Sequence, residues 1–174
     1  MIAYLYSRYP VVSQTFCDSE MLALERAGEG LVVASLNSPP DSFRHERLDA
    51  LQAEVLYPPP PAAIKAIHET YPQDWEKLLP LIKEHDSKYG ASFKAETRAR
   101  NALVFAHRLR ERGVRHIHVH FANRATHTAL FLHALGFPFS FTAHAKDFLV
   151  DLGSHDLLRE MADKAVKVIA VSDF

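Results

Sequence analysis

The run His116-Ile117-His118-Val119-His120-Phe121-Ala122-Asn123-Arg124, followed after one helix length by Phe137-Pro138-Phe139-Ser140-Phe141-Thr142-Ala143-His144-Ala145-Lys146-Asp147, decides the fold. His116 to Phe121 is short and β-prone. Asn123 can cap a helix in which Ala125, Ala129, Leu132 and Leu135 recur at helical spacing until Gly136 and Pro138 stop it. A second strand, Phe139 to Thr142, follows at once. So short a return through a helix makes the two strands parallel, and ligands of open parallel sheets gather outside the strand carboxyl ends. Those ends carry His120, Asn123 and Arg124, then Thr142, His144, Lys146 and Asp147.

Outward from this unit the same alternation recurs. Ile2 to Tyr6 reads as the first strand, and the loop to Ser13 leaves its carboxyl end. Thr15, with Asp18 three residues on, has capping-box spacing ahead of a helix that Gly28 and Gly30 end. Leu31 to Leu36 is apolar almost throughout, as a strand covered on both faces should be. A short helix at Glu46 to Gln52 leads to a third strand at Glu54 to Tyr57.

Four consecutive prolines, Pro58 to Pro61, exclude helix and central strand, so the helical pieces at 62–69 and 73–85 read as an insertion spanning about 58–90. From about Ala91 to Arg112 a long helix puts Ala95, Ala99, Ala102, Ala106 and Leu109 on one face, small enough for close approach to a sheet. Beside them run Lys94, Arg98, Arg108 and Arg112 with Phe105, read as a solvated basic edge or, more sharply, as a contact for anionic lipid headgroups. Ser154 to Asp163 is a further helix and Val166 to Val171 a sixth strand. The expectation is an α/β, Rossmann-like doubly wound sheet, mainly parallel, with helices on both faces and one domain over residues 1–174. Neither a Gly-x-Gly-x-x-Gly nor a Walker loop follows the first strand, so neither kind of nucleotide site is expected there.

Nearly half the chain is apolar and the formal net charge is −1, which suits a folded globular domain and gives no electrostatic reason for a nucleic-acid partner. One cysteine, Cys17, excludes an internal disulfide and any Cys-rich metal site and fits a reducing compartment. No secretory leader and no run of about 18 apolar residues is found, so the expected location is cytoplasmic, with peripheral contact at the inner membrane face open.

His116, His118 and His120 alternate and so share one strand face, the spacing by which metal hydrolases present imidazoles. Without nearby carboxylate ligands, packed and cleft-facing histidines are the expected outcome and no metal is expected. His144, Lys146 and Asp147 at one strand exit are more specific: a donor or acceptor, a cation and a carboxylate converge there.

Tyr9-Pro10-Val11-Val12-Ser13-Gln14-Thr15-Phe16, His118-Val119-His120-Phe121-Ala122-Asn123, Phe141-Thr142-Ala143-His144-Ala145-Lys146-Asp147 and Val171-Ser172-Asp173-Phe174 together resemble the amino-terminal domain of family 4 glycosyltransferases. The likeness spans nearly the whole chain and is closest to the branch that builds exopolysaccharides such as colanic acid. There the first loop commonly reads Pro-x-x-Ser-Glu-Thr-Phe; this chain has Gln14 for the Glu and Cys17 where an aliphatic residue is usual.

The resemblance implies a GT-B enzyme that transfers a sugar from a nucleotide-sugar with retention, without an obligatory metal or other cofactor, to a polysaccharide or lipid-linked glycan acceptor. It implies that His144 lies against the donor sugar near the reacting carbon and that the loop of Ser13, Gln14, Thr15 and Phe16 closes on the cleft beside the donor phosphates. Their places at strand exits and a helix start add Lys146 and Asp147 to the expected catalytic residues and His120, Asn123, Arg124 and Thr142 to the expected substrate contacts. The family's nucleotide-binding carboxyl-terminal domain, with its paired glutamates, has no counterpart here, so the chain is expected to be the acceptor-side half and to be inactive alone. A stand-alone ligand-binding module of the same fold and a histidine-based metal hydrolase are the alternatives.

Overall fold

The computed structural model of the chain describes residues 1–40, 45–144, 147 and 153–171. Six strands, β1 (Ile2–Tyr6), β2 (Leu31–Ser35), β3 (Glu54–Leu56), β4 (His116–His120), β5 (Phe139–Ala143) and β6 (Lys167–Ala170), form one parallel sheet. Their order is β3-β2-β1-β4-β5-β6, the Rossmann-like doubly wound arrangement. The order reverses between β1 and β4, and a crevice opens at the carboxyl ends on either side of such a reversal.

Helix α1 (Thr15–Arg26) covers one face, where Cys17 and Met21 pack on Tyr4, Tyr6, Leu31 and Val33. The other face carries α2 (Pro61–Thr70), α3 (Pro72–Tyr89), α4 (Ala95–Glu111), α5 (Arg124–Ala134) and α6 (His155–Lys164). There Ala3, Leu5, Ile117, Val119, Phe139 and Phe141 share one core with the wholly buried alanine face of α4. α4 packs chiefly on α5 and α3 rather than on a strand, so the close approach to a sheet expected from its small side chains is made to helices instead. Pro61 and Pro72 each open a helix, where a missing N–H costs nothing. The segment read as an insertion becomes α2 and α3, and α3 still contributes Leu78 and Ile82 to the main core.

Three local expectations are corrected. Thr15 does not cap α1: Gln14 occupies the cap position and makes no side-chain cap bond. Asp18, the other half of the expected capping box, is buried and accepts a hydrogen bond from Tyr9 Oη at 3.0 Å, so tertiary packing has taken the carboxylate. The long helix starts at Ala95, because Ala91–Phe93 is a 3₁₀ turn closed by Lys94 in the left-handed conformation (φ 54°).

The basic row on α4 is no solvated edge. Arg112 grips both carboxylate oxygens of Glu54 (2.6 and 2.8 Å), Arg108 donates to the Tyr57 carbonyl, and Phe105 and Arg98 are buried. No helix among the described residues is long and apolar enough to cross a membrane.

Candidate functional site

The carboxyl ends of β1, β4 and β5 meet the loop before α1. At the exit of β4 the chain turns sharply: Phe121 has φ 72°, its N–H donates to the Thr142 carbonyl (2.9 Å), and Asn123 N–H returns to the Phe121 carbonyl (2.9 Å). A side chain in the left-handed region costs roughly 1–2 kcal/mol. Here the turn presents the Phe121 ring to His144, with ring centres 4.3 Å apart. Phe16, from the first turn of α1, lies on the imidazole as well, at 5.1 Å. The first loop and the exit of β5 therefore share one edge of the sheet.

Behind His144 stands a chain of polar groups. His144 Nε2 is 3.2 Å from His120 Nδ1, and His120 Nε2 is 3.4 Å from Glu20 Oε2. His120 is 2% exposed, and its Nε2 makes no hydrogen bond of its own among the described residues. The neighbouring His120 draws the Glu20 carboxyl down to about 2, against its partial burial, and a hydrogen bond from Tyr4 Oη adds to the effect. Burial, and then repulsion from His120, hold His144 below the usual histidine range, so its imidazole is neutral at pH 7.

With Glu20 ionised, the favoured arrangement puts the His120 proton on Nε2, facing the carboxylate. His120 Nδ1 then accepts from His144 Nε2–H, leaving His144 Nδ1 an acceptor without a partner among the described residues.

Asp147 holds the backbone rather than the ring: its carboxylate accepts from His144 N–H (2.9 Å) and its own N–H donates to the His144 carbonyl (2.8 Å). Lys146 lies outside the described residues.

The remaining expected residues divide. Asn123 caps α5 by accepting from Ala125 N–H (2.8 Å), as its position in the sequence indicated, and also accepts from Ser7 Oγ (3.0 Å). Arg124 is exposed beside it. Thr142 is used within the sheet: its hydroxyl meets His118 Nε2 at 3.0 Å. Ser13 and Thr15 lie at the start of α1, Ser13 exposed and Thr15 half-buried, and Gln14 Oε1 is shielded from solvent without a partner among the described residues. Glu20 was missed by the sequence reading; it sits one helical turn beyond Phe16, on the same face, and that spacing was its only signal.

The three alternating histidines do share a face, laddered onto β5. His116 Nε2 and His118 Nδ1 both lie 2.8 Å from Ser140 Oγ. Burial lowers both histidines, His118 to about 4. Ligand atoms of Glu20, His118 and His120 all fall within 4.8 Å of one another. An ion there would have to displace one of the two hydroxyl partners of His118.

Comparison with protein-family models, with curated proteins and with solved structures finds no match to this chain.

Proposed function

We propose that the chain is the acceptor-side domain of a retaining GT-B glycosyltransferase that moves a sugar from a nucleotide-sugar to a polysaccharide or lipid-linked glycan acceptor. The observation that carries this reading is His144, a neutral imidazole at a strand exit, walled by Phe16 and Phe121 and backed by His120 and Glu20. Four motifs similar to those of family 4 enzymes support it. A bare Nδ1 accepts a hydrogen bond from a sugar hydroxyl, which shifts electron density towards the ring carbon where an oxocarbenium-like state gathers positive charge. Such preorganised contacts count most in the transition state. His120 and Glu20 act through His144 as positioning groups, and Asp147 sets the backbone that presents it.

The test uses the full-length gene product with a panel of labelled nucleotide-sugars and lipid-linked or oligosaccharide acceptors, alongside the 174-residue chain alone. Transfer by the full-length protein, retention at the anomeric carbon and none by the isolated chain are expected. Robust turnover by the isolated chain would show a complete enzyme instead. The ladder of histidines beside Glu20 is what favours the rival hydrolase reading, and stoichiometric zinc in the purified protein together with hydrolysis it supports would replace the proposal.

A further inference from the structure

Next to the His144 site, and opening at the same sheet edge, is a cavity of about 520 Å³ lined among others by Ser7, Arg98, Asn123, Arg124 and His127. Arg98 is 9% exposed, yet its Nε is shielded from solvent with no hydrogen-bond partner among the described residues. Among the described residues it also makes no ion pair, and no acidic side chain lines the cavity. Burial, and then repulsion from another cation, Arg124, push Arg98 below the usual arginine range.

A buried, unpaired guanidinium destabilises a fold, and such a group is ordinarily paired with an anion. Other arginines on and just beyond α4 show the contrast: Arg100, Arg110 and Arg112 each hold a carboxylate, and Arg108 donates to the Tyr57 carbonyl. Around Arg98 the remaining groups also suit an anion. The amino terminus of α5 opens here with its positive dipole end, although Asn123 already takes the Ala125 N–H. His127 is held neutral, pushed down to about 3 by burial, His85 and Arg98, and so brings no competing charge of its own. The far wall is apolar, formed by Phe93, Leu157 and Met161.

We propose that this cavity binds a phosphoryl group, phosphate or diphosphate, through Arg98, Arg124 and the α5 amino terminus, with the organic moiety it is attached to lying on Phe93, Leu157 and Met161. Arginine suits this task because its planar fork meets two phosphate oxygens at once. The site stands on its own geometry. Assigning the phosphoryl group to the sugar acceptor, as in a lipid diphosphate-linked glycan, rests on the glycosyltransferase reading, and the binding experiment does not use turnover, so the two can fail separately.

Calorimetric titration of the 174-residue chain with inorganic pyrophosphate and with geranyl diphosphate, at fixed ionic strength set with chloride, tests it. Both are expected to bind. Tighter binding of geranyl diphosphate assigns the group to a lipid carrier, and equal affinity assigns it to the anion alone; either supports the site.

Arg98→Met should weaken both at least tenfold, the scale of one charge-assisted contact. It should also raise the melting temperature of the anion-free protein, since it removes an uncompensated buried charge, whereas an arginine serving only the fold would lower it. Arg124→Gln, at an exposed position, provides the same affinity readout if Arg98→Met fails to fold. No heat from either ligand at millimolar concentration, or unchanged affinity in a folded variant, overturns the proposal.

Discussion

His144 is the residue on which the reading of the site turns, and its environment separates two roles that the sequence merges. Its ring is placed by Phe16, Phe121 and His120, whereas Asp147 bonds only its backbone. On the glycosyltransferase reading proposed above, His144→Ala should lower the rate of sugar transfer by roughly two to three orders of magnitude, the size typical of one preorganised contact. Little change in melting temperature is expected, because the ring is only half-buried at the sheet edge. Unchanged turnover would make it a structural histidine.

Glu20→Gln probes the group behind it. The Glu20 charge favours protonation of His144, so its removal lowers the His144 pKa further. If activity needs the neutral imidazole, the acidic limb of the pH–rate profile moves to lower pH and turnover falls by roughly tenfold, as for the loss of an outer hydrogen-bond partner. A profile that stays in place would exclude Glu20 as a positioning group.

At the scale of elements, β4 and α5 carry histidines whose burial ties folding to pH. His118 on β4 is lowered to about 4 and His127 on α5 to about 3, both mainly by desolvation. A depressed folded-state pKa contributes stability that is fully present above the unfolded value, about 6.5, and is lost as pH falls towards the folded value. The melting temperature should therefore hold above about pH 7 and decline between about pH 6.5 and 4, and His127→Gln should flatten that decline. A flat profile across the window would mean these rings are not buried neutral.

The start of α5 gives an independent check. Asn123→Ala removes the acceptor for Ala125 N–H and should cost about 1 kcal/mol in denaturant unfolding.

For the whole molecule, the two sheet edges differ. β3 is three residues long and runs into Pro58 to Pro61, which cannot donate to another strand. β6 has no such guard. Its residues are all exposed, Val168 and Ile169 at 40% and 42%, with Val166 and Val171 flanking them still more open. An apolar edge of this kind favours association, so the 174-residue chain should self-associate weakly in sedimentation experiments, and Ile169→Lys should return it to monomer. A clean monomer at high concentration would count against this.

The alternation of strand and helix, the parallel sheet, the alanine face of α4 and the Asn123 cap were legible in the residues because each is a local consequence of periodicity, chain reversal or capping chemistry. That polar residues at the strand exits share one edge was legible for the same reason: a parallel sheet collects its carboxyl ends there.

What only the tertiary structure decided are pairings between groups far apart in the chain. Glu20 reaches His120, Thr142 is spent on His118, Asp18 turns to Tyr9, and Arg98 is buried with no counter-charge among the described residues. No spacing rule reports these, since whether a polar side chain is solvated, paired or left waiting for a ligand depends on what the fold brings against it. A periodic pattern names the face of an element; only packing determines what that face meets.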